Sequence, residues 1–342
     1  MKNISNSTKS NFLKKLFVKI CRIIGFEVID QSNLILPTLK KPINESLSIL
    51  GKKNISIPIG EIKITRSIKS LDIIIKTCTR INLVTQNKKR IFEKNKFEYT
   101  LRTINSILQS LKFDKELKNK IGIKIYIIDD NSVDQDLKKI KEILEKFGIN
   151  YEIINLDVNK FSGIKVLNKN NSSIETNMRA TMASIMNSLY IAKEKCGDLV
   201  YFVEDDYIHK KESLVEMLKT YEKISSIYKS EFFLCPVDYP YLYKKTDNTN
   251  IILGEKYHWR VVNESLLTFM TSKNLINKYW DNLINMATNE HSPFEIPLHE
   301  IYEKEICLSP VPSLAIHCTN INSSFGLSPN VDWVKIWNDN EV

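Results

Sequence analysis

Leu199-Val200-Tyr201-Phe202-Val203-Glu204-Asp205-Asp206 is an apolar run of strand length that empties into three consecutive carboxylates. Adjacent acids repel one another and are costly to desolvate, so a strand that ends on them is expected to deliver them to a cation at the mouth of a cleft. In an extended chain alternate side chains share a face. Glu204 and Asp206 can therefore reach one divalent ion while Asp205 turns elsewhere. A solvated acidic turn after a buried strand reads the same way in isolation, and the flanking sequence decides between the two.

Upstream, Asp72-Ile73-Ile74-Ile75-Lys76-Thr77-Cys78 reads as a buried first strand, and 99–111 as a helix with Leu101, Ile104, Ile107 and Leu108 inward. A second strand over 123–128 ends in Asp129-Asp130-Asn131-Ser132. A helix over 137–147, a strand over 151–156 and a long helix over 176–195 then lead to the opening stretch. Such alternation predicts an α/β fold with a mostly parallel sheet flanked by helices. Ligands of that architecture sit beyond the carboxyl ends of the strands, where both acidic clusters fall. The turn after the first strand, Thr77-Cys78-Thr79-Arg80-Ile81-Asn82, contains no glycine, and no G-x-x-x-x-G-K-S/T occurs in the chain. Dinucleotide, S-adenosylmethionine and P-loop sites of the usual kind are excluded.

Composition bounds the class. With 342 residues, 43% of them hydrophobic, the chain can bury a full core. Its net charge of +9 is spread along the sequence with no nucleic-acid motif beside it, so the partners it suggests are phosphate-bearing donors and anionic lipid, not nucleic acid. Six cysteines are scattered without a C-x-x-C pair, which argues against a zinc site or a disulfide framework and fits a reducing cytoplasm.

The first 66 residues form an N-terminal helix and linker in this reading. Between Phe12 and Phe26, Leu13, Leu16, Phe17, Ile20, Ile23 and Ile24 recur at helical spacing with Lys14, Lys15, Lys19 and Arg22 interleaved. This basic amphipathic helix is suited either to peripheral attachment at an anionic membrane surface, on the inner face of the membrane, or to docking on the protein's own body. No apolar run approaches the roughly 20 residues of a membrane span. The Pro- and Gly-containing stretch from Gln31 to Ser70 reads as a linker with a small strand or hairpin, and residues 67–342 as the main domain.

These segments, from about 71 to 317, resemble the nucleotide-sugar glycosyltransferases of the GT-A fold, especially the large family-2 group. Thr77 to Arg80 looks like the turn that holds base and ribose there. Ile127-Ile128-Asp129-Asp130-Asn131-Ser132-Val133-Asp134 is similar to the family's V-D-D-x-S-x-D pattern, which assigns Asp129 and Asp130 to base or ribose. Asn177-Met178-Arg179-Ala180 is similar to the A-R-N neighbourhood, where an arginine approaches the donor phosphates. Glu204-Asp205-Asp206 stands at the D-x-D metal motif, with Glu in place of the first Asp. The resemblance implies that Glu204 and Asp206 bind Mn²⁺ or Mg²⁺ and that Asp205 belongs to the donor site. The chemistry agrees: a sugar nucleotide leaves as a diphosphate, whose developing charge a divalent ion and an arginine neutralise.

The second half is expected to bind the acceptor. Residues 71–206 would form the nucleotide-sugar half, 207–325 the acceptor half and 326–342 a tail. Tyr257 and Trp259 are candidate sugar platforms, since a ring face packs the apolar side of a pyranose, and core packing is their alternative. A strand near 266–271 and a helix over 273–286 follow. Phe294-Glu295-x-x-Leu298 is similar to the family's E-D helix start, whose acid deprotonates the acceptor hydroxyl in inverting enzymes. That makes Glu295 the candidate base, with Glu300 as the alternative. Ser313-Leu314-Ala315-Ile316-His317-Cys318 reads as a last strand, and the resemblance implies His317 as a third metal ligand.

The resulting expectation is a metal-dependent, inverting glycosyltransferase of the hexosyl type, moving sugar from a UDP-linked donor to a glycan or lipid-linked acceptor. The alternatives are a non-catalytic GT-A-like scaffold in glycan assembly and a sugar nucleotidyltransferase. The latter would want a glycine-rich basic loop after the first strand.

Overall fold

The computed structural model describes residues 12–26, 63–80, 90–114, 120–167, 172–244, 249–319, 321 and 323–342. The chain divides into two compact units, Met1–Lys63 and Ile64–Val342, each described by itself. In the first, α1 spans Phe12–Ile23. The linker strand or hairpin expected before Ser70 falls up to residue 62 outside the described residues, and 63–69 are irregular. Among the described residues no helix is long and apolar enough to cross a membrane.

The second unit opens with β1 (Ser70–Thr77), α2 (Lys96–Phe113), β2 (Gly122–Asp129), α3 (Asp134–Phe147), β3 (Asn150–Asn155), α4 (Ser172–Glu194) and β4 (Leu199–Glu204). β1 and β4 carry near-continuous apolar runs because both of their faces are covered. Leu71, Ile73 and Ile75 of β1 and Leu199, Tyr201 and Val203 of β4 pack to one side, with Ile104 of α2 and Leu144 of α3. Ile74, Val200 and Phe202 pack to the other, with Met182 and Leu189 of α4. Each such side chain contributes about 1.5–3 kcal/mol on burial. Local signals set the boundaries: the Asn95 side chain caps α2 by accepting from the Glu98 amide at 3.2 Å, and Gly148 ends α3 at φ +58°. Gly197 precedes β4 where a Cβ would lie 2.3 Å from Ser70 Oγ, so glycine lets the strands start side by side.

Then come β5 (Tyr207–His209), α5 (Ser213–Tyr228), β6 (Phe233–Leu234), β7 (Ile251–Leu253), β8 (His258–Val262), β9 (Phe269–Ser272), α6 (Lys273–Lys278), α7 (Trp280–Thr288), α8 (Ile296–Tyr302), β10 (Cys307–Val311), β11 (Ala315–His317) and α9 (Trp333–Asp339). The single helix expected over 273–286 is broken at Tyr279, whose backbone leaves helical geometry (φ −109°, ψ 27°). Among the described residues nine strands form one sheet in the order β3-β2-β1-β4-β9-β6-β10-β8-β7, and β11 pairs with β5 in a separate ribbon. β3, β2, β1 and β4 are parallel. β9 runs antiparallel to β4 and β6, while β10 is parallel to β6 and antiparallel to β8. The chain thus adopts the expected α/β fold, a mostly parallel sheet flanked by helices, with antiparallel strands in its second half.

The order of the first four strands places the site. The chain steps from β1 outward to β2 and β3, then returns through α4 to lay β4 on the other side of β1. The next sheet strands in sequence after β1 and β4, namely β2 and β6, lie on opposite sides of that pair, the reversal of strand order at which sheets of this architecture present a ligand crevice beyond their carboxyl ends. The tail packs on α2 and β5: Trp337 stacks on Phe92 with centroids 4.1 Å apart, lies under the Arg102 guanidinium, and is followed by Asn340, whose side chain donates to the His209 carbonyl at 3.4 Å.

Candidate active site

At this crevice the exits of β1 and β2 are laced together. Thr77 Oγ1 donates to Asp129 Oδ1 at 3.0 Å, and Asp129 Oδ2 accepts from the Ser132 amide at 3.0 Å. Thr79 donates its amide to Ser132 Oγ at 2.9 Å and accepts from the Val133 amide through Oγ1 at 3.0 Å. Arg80 is exposed and donates through Nε to the Asn131 carbonyl at 2.9 Å. Asn131 sits at φ +55°, a conformation Asn tolerates, and this turns Ser132 back onto Asp129. Asp129 is buried with both oxygens engaged, so it braces the two loops. Asp130 is only half-buried; burial and the neighbouring Asp129 charge raise its pKa, and Lys96 partly offsets them.

The three acids at the end of β4 go three ways. Glu204 faces Lys76 of β1 at 3.6 Å. Asp205 is buried, 3.2 Å from Lys96 Nζ, and accepts from Thr100 Oγ1 at 3.0 Å and from the Cys78 amide at 3.3 Å. Asp206 Oδ2 accepts from Thr319 Oγ1 and lies 3.6 Å from His317 Nε2. Each carboxylate thus has its own base, from β1, α2 and β11 respectively, which is how three adjacent acids coexist. Burial works against the charge on Asp206, and His317, Thr319 and Lys96 outweigh it, holding the carboxyl below the usual range. Burial likewise works against the charge on Lys96, and Asp205 leads the groups that reverse it.

His317 is oriented from behind. Its Nδ1 lies 2.7 Å from the Phe325 carbonyl, which can only accept, so Nδ1 carries a proton and Nε2 is the atom turned to Asp206. The ring stacks on Tyr207 at 4.6 Å, and the Tyr207 hydroxyl meets that of Tyr239 at 2.8 Å. Among the described residues no three His, Cys, Asp or Glu side chains form a metal-holding group. Of the three expected ligands, Asp206 and His317 face each other, while Glu204 is drawn to Lys76. A carboxylate oxygen and an imidazole nitrogen 3.6 Å apart fit as two neighbouring ligands of one divalent ion with bonds of about 2.1 Å.

The remaining candidates divide. Glu295 is buried immediately before α8. Burial holds the Tyr239 phenol far above its ordinary value, and the charges of Cys235, Glu204 and Glu295 act in the same direction. Glu300 is exposed and accepts from Asn282 of α7 at 3.1 Å. Arg179 pairs with Glu175 at 3.2 Å and donates to the Ile164 carbonyl at 3.1 Å; neither partner is one of the strand-end acids. Trp259 is no sugar platform: it is fully buried, with its indole N–H donated to Glu216 at 3.2 Å. Tyr257 is half-buried, its hydroxyl on Glu212 at 2.8 Å.

Sequence reasoning missed Lys76 and Lys96. The signal for Lys96 was its place at the first position of α2, where the helix dipole disfavours a cation unless nearby acids compensate it. For Lys76 it was an amine directly after the apolar run Ile73–Ile75 of a buried strand.

No protein-family model and no curated protein matches the chain. Solved structures do. The 1–349 fragment of TarS from S. aureus is similar at 14% identity and a TM-score of 0.36, over 61% of this chain and 48% of that one. The galactosyltransferase LgtC, in complex with donor and acceptor sugar analogs, is similar at 11% identity and a TM-score of 0.31, over 63% of this chain and 64% of that one. A UDP-glucose pyrophosphorylase complexed with UDP-glucose is similar at 10% identity and a TM-score of 0.37, over 80% of this chain and 97% of that one. The chain spans about half the length of the TarS fragment. What the site can do is read from its own residues.

Proposed function

We propose that this protein is a GT-A-type glycosyltransferase that moves a hexose from a UDP-linked donor to a glycan or lipid-linked acceptor. The observation that carries this reading is that Asp130, Glu204 and Asp206 stand at or just past the carboxyl ends of the neighbouring parallel strands β2 and β4, which flank β1, with His317 3.6 Å from Asp206. In that reading Arg80 and Asp130 take the base and ribose, with Thr77, Asp129 and Asp205 holding the loops that present them. Asp206 and His317 would hold Mn²⁺ or Mg²⁺, with Glu204 able to join them by leaving Lys76. A divalent ion there supplies positive charge to the departing diphosphate. Lys76 and Lys96 stand at the same strand ends, paired with Glu204 and Asp205, and Lys76 would be released toward the donor phosphates as Glu204 turns to the metal; Arg179 would reach them only by leaving Glu175 and the Ile164 carbonyl.

Glu295 is the base in this account, preferred to Glu300 because it stands buried at the start of α8, whereas Glu300 lies on the exposed side of that helix and accepts from Asn282. Its carboxylate takes the proton from the acceptor hydroxyl as that oxygen bonds to the anomeric carbon, and the carbon–oxygen bond to the diphosphate breaks with the electron pair leaving on UDP. One displacement inverts the anomeric centre. A sugar nucleotidyltransferase would use the same crevice, but residues 77–95 contain no glycine for its loop.

Incubation with UDP-hexoses, Mn²⁺ and lipid-diphosphate or oligosaccharide acceptors tests the reading. UDP and a glycoside of inverted configuration are expected, with kcat lowered about 10²–10⁴-fold in Glu295→Gln. Pyrophosphate release would establish the nucleotidyltransferase instead. UDP binding without turnover of any donor would leave the scaffold.

A further inference from the structure

We infer that α1 is an interfacial helix and that its occupant is an anionic lipid surface. The helix shows its apolar residues to solvent: Leu13, Leu16, Phe17, Ile20, Ile23 and Ile24 are between 44% and 76% exposed. They recur at i, i+3, i+4 and i+7, one stripe along a helix of 12 residues. Exposed together, they form a contiguous apolar surface of the kind that marks an interaction site.

Three observations select the occupant. Residues 1–26 carry Lys2, Lys9, Lys14, Lys15, Lys19 and Arg22 and no Asp or Glu, so every formal side-chain charge within that stretch of sequence is positive, the first acid being Glu27. Lys19 and Arg22 are exposed, and Lys19 lies one turn before Ile23 at the border of the stripe. There a long side chain buries its stem along apolar surface and sets its charge at the level of lipid phosphates. The length fits as well. Twelve residues rise about 18 Å, short of the about 30 Å of a hydrocarbon core, so the helix lies in the plane of the headgroups and does not span. A second copy of the helix is a poor occupant, because pairing two stripes would bring like charges together with no acid in either segment to neutralise them.

This inference is independent of glycosyl transfer, since lipid partition reads it and turnover does not. The test is sedimentation of the full chain with vesicles of phosphatidylcholine alone and of phosphatidylcholine mixed with phosphatidylglycerol. Binding is expected only to the mixed vesicles, weakening as salt rises. Lys19→Gln and Arg22→Gln should each lower the partition coefficient about five-fold. Phe17→Ser combined with Ile20→Ser should abolish binding while the thermal unfolding of the main unit is unchanged. Equal binding to both lipids, no binding, or binding unaffected by these substitutions would overturn the inference. So would a dimer in solution that the Phe17→Ser/Ile20→Ser variant dissolves, which would give the stripe to a second copy.

Discussion

The two ends of the β5–β11 ribbon each carry a buried histidine, and the two rings have opposite charge preferences. His317 pairs across the ribbon with Tyr207, and His209 with Ala315. His209 Nε2 lies 2.5 Å from the Tyr201 hydroxyl, and Nδ1 lies 3.4 Å from Ser106 Oγ. The Ser106 proton is already donated to the Thr103 carbonyl at 2.7 Å, so Ser106 Oγ accepts from the His209 backbone amide and from Nδ1–H. The Tyr201 hydroxyl then donates to Nε2. A neutral ring is satisfied on both nitrogens, and burial pushes the His209 pKa down to about 3. Burial acts in the same direction on His317, and the Asp206 charge leads the groups that reverse it, so that its pKa is raised. Depth alone therefore does not decide the charge of a buried histidine; the partner does. One end of the ribbon is a neutral polar pin in the core, and the other sets an imidazole against the Asp206 carboxylate beside the crevice.

The largest expected effect falls on the neutral end. His209→Ala leaves a cavity and strips partners from Tyr201 and Ser106, so denaturant unfolding should show a loss of about 3–5 kcal/mol, with the UDP affinity of the folded fraction unchanged. A loss below about 1 kcal/mol would remove the distinction between the two ends.

Acid should act through the same ring. The unfolded chain binds a proton at His209 near pH 6.5 and the native state only near 3, so the unfolded state holds more protons between them. The stabilisation is present above pH 6.5 and is lost as pH falls through that window, at about 1.4 kcal/mol per pH unit. The slope should flatten in His209→Gln; an unchanged slope would mean the ring is not held neutral. Smaller still, Tyr201→Phe removes only the donor to Nε2 and should cost about 1 kcal/mol.

How far the sequence carried differs between these regions for physical reasons. The exits of β1, β2 and β4 could be read because a strand buried on both faces leaves an uninterrupted apolar run, and acids at its end stand out against it. Ser309 and Pro310 interrupt β10, and β6 has only two residues, so of the second half periodicity revealed β9 and β11 but not the strands paired beyond β9. Trp259 looked like a sugar platform because aromatic residues suit both a sugar face and a core; only its burial against Glu216 separates the two. The Lys76–Glu204 and Lys96–Asp205 pairs join residues 128 and 109 positions apart, and no local pattern encodes such pairing. The preference of His317 for Asp206, and of His209 for Tyr201, is likewise a property of the ribbon's placement between α2 and β4.

The central claim is that the Asp206–His317 end of this ribbon and the ends of β1, β2 and β4 make one nucleotide-sugar site. Calorimetric titration of UDP with and without Mn²⁺, on the wild type and on Asp206→Asn, tests it most directly. The account predicts binding that requires the metal and is lost in the variant. Absence of UDP binding, or binding indifferent to both the metal and Asp206, would contradict it.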